Sequence, residues 1–113
     1  MLSAMSVVRV ESLPDSGNSF LFEGVAHAAP VSFFLLHTKP GQGPGLHRHP
    51  YAETFVIQEG QATFTIGDER IEARAGEIVV APAEVPHAFV NSGTTILRSV
   101  NIHPVPEMQT VWL

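Results

Sequence analysis

The sequence of 113 residues contains no cysteine, which excludes disulfide bonds, thiolate metal sites and cysteine nucleophiles. Basic residues are also scarce, since six lysines and arginines face eleven acidic residues and leave a net charge of −5. A protein that binds the phosphates of nucleic acids needs a basic patch, which this composition does not supply. No apolar run reaches the roughly 18 residues of a transmembrane helix. We therefore predict neither a nucleic-acid partner nor a membrane partner.

The N-terminal residues do not resemble a secretory signal. The short apolar run near the N-terminus precedes the first basic residue, Arg9, which reverses the order found in signal peptides. We therefore expect a cytoplasmic protein.

The length is that of one domain, and an apolar fraction of 44% is enough for one small core, so we expect residues 1–113 to form a single domain.

Helical periodicity is absent, and the chain instead shows short apolar or alternating segments separated by turn residues. Nine glycines and nine prolines supply those turns, and Gly67-Asp68 is typical of a two-residue hairpin loop. Strands of about five residues with a turn signal every 8–12 residues predict an all-β sandwich or barrel. The predicted strands cover residues 31–37, 54–57, 62–66, 69–73, 77–80, 87–90 and 95–102.

The histidines are more numerous than the composition requires, and some of them have a spacing that suits a metal site. His47 and His49 alternate along one strand, so both side chains point the same way and can converge on one ion. On a straight strand Glu53 would lie about 20 Å from His47. The proline in residues 50–52 predicts a turn that returns Glu53 opposite the histidines, and His87 must come from another strand.

Two sequence motifs resemble those of the cupin superfamily. The first cupin motif, Gly-x5-His-x-His-x3-Glu-x6-Gly, is met at every interval over residues 41–60, by Gly41, His47, His49, Glu53 and Gly60. The second motif, Gly-x5-Pro-x-Gly-x2-His-x3-Asn, is met over residues 76–91 by Gly76, Pro82, His87 and Asn91. One position departs from it, because Glu84 stands where the family has glycine.

The resemblance implies a double-stranded β-helix, the jelly-roll β-barrel of cupins, with one divalent transition metal per chain. It also implies that the four ligands are His47, His49, Glu53 and His87. Three imidazoles and one carboxylate suit Mn, Fe, Ni, Co, Cu or Zn, and the lack of thiolate argues against a soft metal. Such a centre keeps a net charge of about +1, which favours anionic oxygen ligands such as enolates, phenolates and carboxylates.

Four other residues are candidates for substrate binding. Phe89 shares strand parity with His87, although core packing alone explains it equally well. His37 ends the strand that precedes the metal loop, where a surface strand end is the favoured alternative. Arg98 can meet an anionic substrate or pair with a surface acid, and Tyr51 can donate a hydrogen bond behind the ligands. His103, beside a proline, can cap the barrel mouth, although this is the less favoured of its possible positions.

Glu84 and the chain ends carry two further expectations. A loop bracketed by Pro82 and Pro86 is expected to relax to an ordinary negative φ at Glu84.

A barrel of this size has exposed edge strands, which residues 6–10 and 110–113 can cover. We therefore predict a homodimer.

Three functions are compatible with the sequence, because the cupin fold hosts many chemistries. The first is a metal-dependent oxygenase, such as a dioxygenase, acting on a small enolic, phenolic or carboxylated compound. The second is a non-enzymatic module that binds or senses a small ligand or the ion, and the short chain favours it. The third is an isomerase or lyase that uses the metal as a Lewis acid. A metal-independent sugar epimerase is disfavoured, because the ligand set is complete.

Overall fold

The computed structural model describes residues 6–113, which form ten β-strands and two short 3-10 helices, Val10–Ser12 and Gly24–His27. No helix in this part of the chain is long and apolar enough to cross a membrane. The strands are β1 (Ser19–Phe22), β2 (Ser32–Leu36), β3 (His47–Arg48), β4 (Glu53–Glu59), β5 (Gln61–Ile66), β6 (Glu69–Arg74), β7 (Ile78–Ala81), β8 (His87–Asn91), β9 (Arg98–His103) and β10 (Val111–Trp112).

The strands form two five-stranded antiparallel sheets with the orders β1-β2-β9-β4-β7 and β10-β3-β8-β5-β6. The sheets pack face to face, because Phe55 of β4 contacts Phe64 of β5 with ring centroids 4.9 Å apart. Consecutive strands along the chain repeatedly change sheet, as in a double-stranded β-helix. The predicted all-β barrel is therefore confirmed.

Because side chains alternate along the strands, both apolar residues and candidate metal ligands point into the barrel interior. On β4, Glu53, Phe55 and Ile57 point inward, and on β8, His87 and Phe89 do so. One end of the barrel is filled by apolar side chains, including Phe64 and Leu97, which are about 1% exposed. The other end holds the buried histidines.

All seven predicted strands are present, with shifted bounds. The predicted strand 95–102 begins later, at Arg98, because residues 93–95 form a bend and Leu97 makes only an isolated bridge to Thr38. The strand β1 was not predicted. Its sequence, Ser-Phe-Leu-Phe, does not alternate apolar and polar residues, and all four residues are half-buried in the structure.

The two chain ends behave differently. Val111 and Trp112 of β10 pair with β3, and the Leu113 amide donates a hydrogen bond to the Leu46 carbonyl at 3.0 Å. The C-terminal segment thus covers a sheet edge, as predicted. Residues 6–9 form no strand, and Val7 is 95% exposed, so residues 6–10 cover no sheet edge within residues 6–113.

The expectation of a relaxed backbone at Glu84 is also wrong. Its φ is +67°, in the left-handed region that glycine reaches easily. The Val85 amide donates to the Pro82 carbonyl at 3.3 Å, which makes Glu84 the third residue of a turn, where a type II turn requires positive φ. The Glu84 amide also donates to the His49 carbonyl at 2.7 Å, and this hydrogen bond holds the turn in its strained shape.

Replacing Glu84 with glycine is expected to stabilise the fold. Releasing the strain gains about 1 kcal/mol, and the wider unfolded ensemble of glycine offsets part of it. The net gain of about 0.5 kcal/mol raises the melting temperature by a few degrees in a domain of this size. Calorimetry of Glu84→Gly against Glu84→Ala, which keeps the β-carbon and the strain, measures it. A glycine variant that melts no higher than the alanine variant contradicts the assignment of strain.

Candidate metal centre

Four buried side chains converge at the polar end of the barrel. His47, His49, Glu53 and His87 each offer one ligand atom, and these atoms all lie within 4.8 Å of one another. None of the four residues is more than 6% exposed. The structure thus brings together the four ligands that the resemblance implied, in a cluster that suits one metal ion.

Both sheets contribute to this cluster. His47 of β3 lies directly opposite His87 of β8 in the same sheet, and His49 follows β3. Glu53 begins β4 of the other sheet, and the intervening residues 50–52 carry the chain across. The reversal that the proline predicted is therefore present, and it places the carboxylate opposite the imidazoles.

The outer nitrogens of the three imidazoles all face backbone carbonyl oxygens. His47 Nδ1 lies 2.7 Å from the Gly45 oxygen, His49 Nδ1 lies 2.7 Å from the Gln109 oxygen, and His87 Nδ1 lies 3.1 Å from the oxygen of residue 85. A carbonyl can only accept a hydrogen bond, so each Nδ1 carries the proton. Each neutral ring therefore presents the lone pair of Nε2, the arrangement typical of histidine ligands to a metal.

The Nε2 atoms of the imidazoles face the Glu53 carboxylate, an unfavourable arrangement that a cation between them would stabilise. His49 Nε2 and His87 Nε2 lie 3.0 and 3.1 Å from the same oxygen, Glu53 Oε1. His49 Nε2 is buried and has no hydrogen-bond partner. Lone pairs that face a carboxylate in a buried site repel one another unless a positive charge lies among them. The donor set therefore fits a divalent metal ion on its own chemistry.

The electrostatics keep Glu53 and His47 in their metal-binding forms. Burial by itself raises the pKa of the Glu53 carboxyl, but the imidazoles of His103, His49 and His87 outweigh burial and bring the pKa below its ordinary value of 4.5. Burial lowers the pKa of His47 below 6.5, so its ring is neutral at neutral pH. A carboxylate and a neutral imidazole are the forms that bind metals. Burial by itself lowers the pKa of His49, but its contacts with Glu53 and the Gln109 carbonyl outweigh burial and raise the pKa, so a proton competes with a metal ion at that ring.

A cavity of about 370 Å³ opens onto the cluster. Its apolar wall includes Phe34, Leu36, Phe89 and Trp112, and its polar wall is made of uncharged groups such as Asn101. Apart from the candidate ligands, His103 is the one titratable side chain among the described residues that line this cavity. No lysine or arginine of residues 6–113 takes part in the lining.

The candidates for substrate binding divide into two groups. Phe89 lines the cavity, and Tyr51 lies behind it with its hydroxyl 2.6 Å from His103 Nδ1. His37 points away, with Nε2 2.9 Å from Asp15 Oδ1. Arg98 is an outward residue of β9 and pairs with a surface acid, and neither His37 nor Arg98 lines the cavity.

The sequence did not predict that His103 is buried in the barrel interior or that Trp112 contacts a candidate ligand. His103 is 1% exposed, and its Nε2 lies 3.1 Å from Glu53 Oε2, so it belongs to the interior and not to the barrel mouth. The alternation of β9, in which residues 99, 101 and 103 are buried, was the available signal. Trp112 packs on His47 with ring centroids 4.8 Å apart, and a tail with two prolines did not predict this contact.

Comparison with protein families identifies this chain. The cupin domain model matches residues 34–103, more than half of the sequence, and the chain therefore belongs to the cupin domain family. The match includes all four candidate ligands and His103.

Individual proteins extend the comparison. Polyketide synthase CurC from Streptomyces cyaneus is 33% identical over 63 residues, which cover 55% of this chain and 41% of that protein. This chain thus spans less than half of that curated relative. A double-stranded β-helix protein from Klebsiella pneumoniae has a TM-score of 0.74 at 21% identity, and the alignment covers 95% of this chain and 96% of that one.

Oxalate decarboxylase from Bacillus subtilis has the same fold over a larger chain. One of its variants superposes with a TM-score of 0.81 at 19% identity, covering 94% of this chain and 31% of the enzyme. Another of its structures, with a TM-score of 0.80 at 21% identity over 91% of this chain and 30% of the enzyme, concerns the Mn(II) centres of that protein. At these identities the likeness establishes the double-stranded β-helix fold.

Replacing His49 with alanine is expected to abolish metal retention while the barrel stays folded. Loss of a ligand weakens binding by more than the 10–100-fold typical of residues behind the ligands. Elemental analysis after loading with Mn²⁺ and dialysis measures the metal content, and circular dichroism checks the fold. His37→Ala, a histidine outside the cavity, is the matched control and should keep wild-type content. Equal metal content in both variants contradicts the ligand assignment.

Proposed function

We propose that this cupin is a metal-dependent oxygenase that acts on a small phenolic or enolic compound. The observation that carries the proposal is a cluster of four candidate metal ligands at the end of a largely apolar cavity that no lysine or arginine of residues 6–113 lines. A metal held by His47, His49, Glu53 and His87 would supply a Lewis acid for an anionic substrate oxygen and redox chemistry toward dioxygen.

The cavity walls favour a substrate with an apolar body and one anionic oxygen. Phe34, Leu36 and Phe89 contact the space beside the cluster and would pack against a ring or an alkyl chain. Neutral groups such as Asn101 can hydrogen-bond a hydroxyl or carbonyl farther from the metal. A volume of about 370 Å³ restricts the substrate to a small molecule.

The same walls disfavour a dicarboxylate, despite the similarity in fold to oxalate decarboxylase. A second carboxylate would be buried against Phe and Leu side chains with no lysine or arginine of residues 6–113 beside it. An unpaired buried charge is strongly unfavourable. The name of the Streptomyces relative, polyketide synthase, agrees with an oxygenated and largely apolar compound. A carboxylated substrate therefore has less support than a phenol or an enol.

A non-enzymatic module that binds a small molecule is the second candidate. Beyond the four candidate ligands, His103 is the one imidazole or carboxyl side chain of residues 6–113 that lines the cavity, and it already contacts Glu53. A site with so few acid and base groups suits binding as well as oxygenation. It gives little support to an isomerase or lyase, which needs a free proton-transfer group.

Oxygen consumption distinguishes these functions. We expect protein loaded with Fe²⁺ or Mn²⁺ to consume dioxygen with a catechol or a β-diketone and not with oxalate. His49→Ala should lose this consumption, and His37→Ala should keep it. Calorimetric binding of the same compounds without oxygen consumption would support the binding module instead, and turnover of oxalate alone would overturn the substrate class.

We also propose that the protein forms a homodimer in the cytoplasm. The strand β7 is an edge of its sheet, and two of its side chains, Ile78 and Val80, are 65% and 53% exposed. An exposed apolar edge strand is a surface that pairs readily with a second copy.

Light scattering after gel filtration is expected to give the mass of a dimer. Replacing both Ile78 and Val80 with lysine should produce a monomer, because a charged edge opposes strand pairing. Val25→Lys, an equally exposed apolar position on a 3-10 helix, is the control and should leave the mass unchanged. A monomeric wild-type protein rules out the homodimer.

A further inference from the structure

The two oxygens of Glu53 have different surroundings. Oε1 faces the candidate ligands, because it lies 3.0 Å from His49 Nε2 and 3.1 Å from His87 Nε2. Oε2 points away from them and lies 3.1 Å from Nε2 of His103, a fourth histidine outside the ligand cluster. The carboxylate is 3% exposed, so solvent does not compete for Oε2.

The partners of His103 differ in kind from those of the other three histidines. Its Nδ1 lies 2.6 Å from the Tyr51 hydroxyl, whereas each ligand histidine has its Nδ1 against a carbonyl oxygen. The Tyr51 hydroxyl oxygen accepts a hydrogen bond from the Gln109 amide at 3.3 Å, which leaves its own proton free to donate to His103. Nδ1 of His103 then accepts, and Nε2 carries the proton. Nε2 lies 3.1 Å from Glu53 Oε2, within the distance of an ion-dipole contact, although the angle is not that of a hydrogen bond. His103 thus adopts the tautomer opposite to that of the ligand histidines.

Packing holds this arrangement in place. The Tyr51 ring stacks on His49 with centroids 5.1 Å apart and an angle of 6° between the planes. The His103 ring packs edge-on against His49 and Phe34, at 4.7 and 5.8 Å. At 1% exposure the His103 ring has no space to turn away from the carboxylate.

We propose that Tyr51 and His103 are positioning residues that restrict Glu53 to binding the metal through Oε1 alone. A carboxylate whose second oxygen is free can bind a metal through both oxygens and then occupies two coordination positions. Engaging Oε2 with an N–H donor prevents this and leaves one more position on the metal for a substrate. This inference rests on the proposed metal centre, and it adds a role to two residues that are not ligands.

The number of water molecules on a bound Mn²⁺ ion tests the proposal directly. Four protein ligand atoms on a six-coordinate ion leave about two waters, and a Glu53 bound through both oxygens leaves about one. We therefore expect His103→Phe to bind Mn²⁺ with roughly half the inner-sphere water relaxivity of the wild type. A purely structural role of His103 would lower the melting temperature without changing the number of waters.

Two further variants sharpen the test. His103→Gln keeps an N–H donor for Oε2 and should restore the wild-type relaxivity. Tyr51→Phe removes the hydroxyl that selects the tautomer of His103, so its relaxivity should fall between those of the wild type and His103→Phe. Because Tyr51→Phe removes a single oxygen, it remains informative if His103→Phe does not fold.

The outcomes separate this inference from the function on which it rests. A wild-type protein that binds no Mn²⁺ overturns the metal centre, and the inference with it. A wild-type protein that binds Mn²⁺, with folded His103→Phe and Tyr51→Phe variants of unchanged relaxivity, overturns the positioning role and leaves the metal centre standing. A lowered relaxivity in His103→Phe that His103→Gln does not restore contradicts the assigned N–H contact.

Discussion

The buried carboxylate of Glu53 is the interaction on which the rest of the structure depends. Glu53 is the first residue of β4 in one sheet. Its carboxylate contacts His49 and His87, which come from the other sheet. His103, from its own sheet, contacts its second oxygen. A buried negative charge is tolerated only when it is paired. The imidazoles that surround this charge therefore tie the two sheets together at the polar end of the barrel.

The C-terminal segment completes this arrangement from the outside. The Gln109 carbonyl accepts the Nδ1 proton of His49, and the Gln109 amide donates to the Tyr51 hydroxyl. One peptide segment therefore influences the tautomers of two histidines with different roles. The pairing of β10 with β3 holds that segment in place and brings Trp112 onto His47. The tail thus shapes the site although it lies outside both cupin motifs.

The sequence predicted those parts of the site that depend on short spacings. Strand alternation put His47 and His49 on one face, and a proline marked the turn that returns Glu53. The role of His103 was not predictable in the same way, because its partner Tyr51 is 52 positions away and only the sheet register brings them together. The backbone of Glu84 was predicted wrongly for the same reason. Its conformation depends on a hydrogen bond to the His49 carbonyl, which no local pattern reveals.

The choice of substrate depends on a different set of residues from those that define the family. The four candidate ligands can present the same metal to a dicarboxylate, a phenol or an enol. These compounds differ in the part of the molecule that does not bind the metal. A dicarboxylate must bury a second negative charge there, whereas a phenol or an enol need not. Phe34, Phe89 and Asn101 offer packing and hydrogen bonds there but no positive charge. An uncompensated charge is far more unfavourable in such a cavity than a hydroxyl, and this difference is the reason that the proposed substrate is a phenol or an enol and not a dicarboxylate.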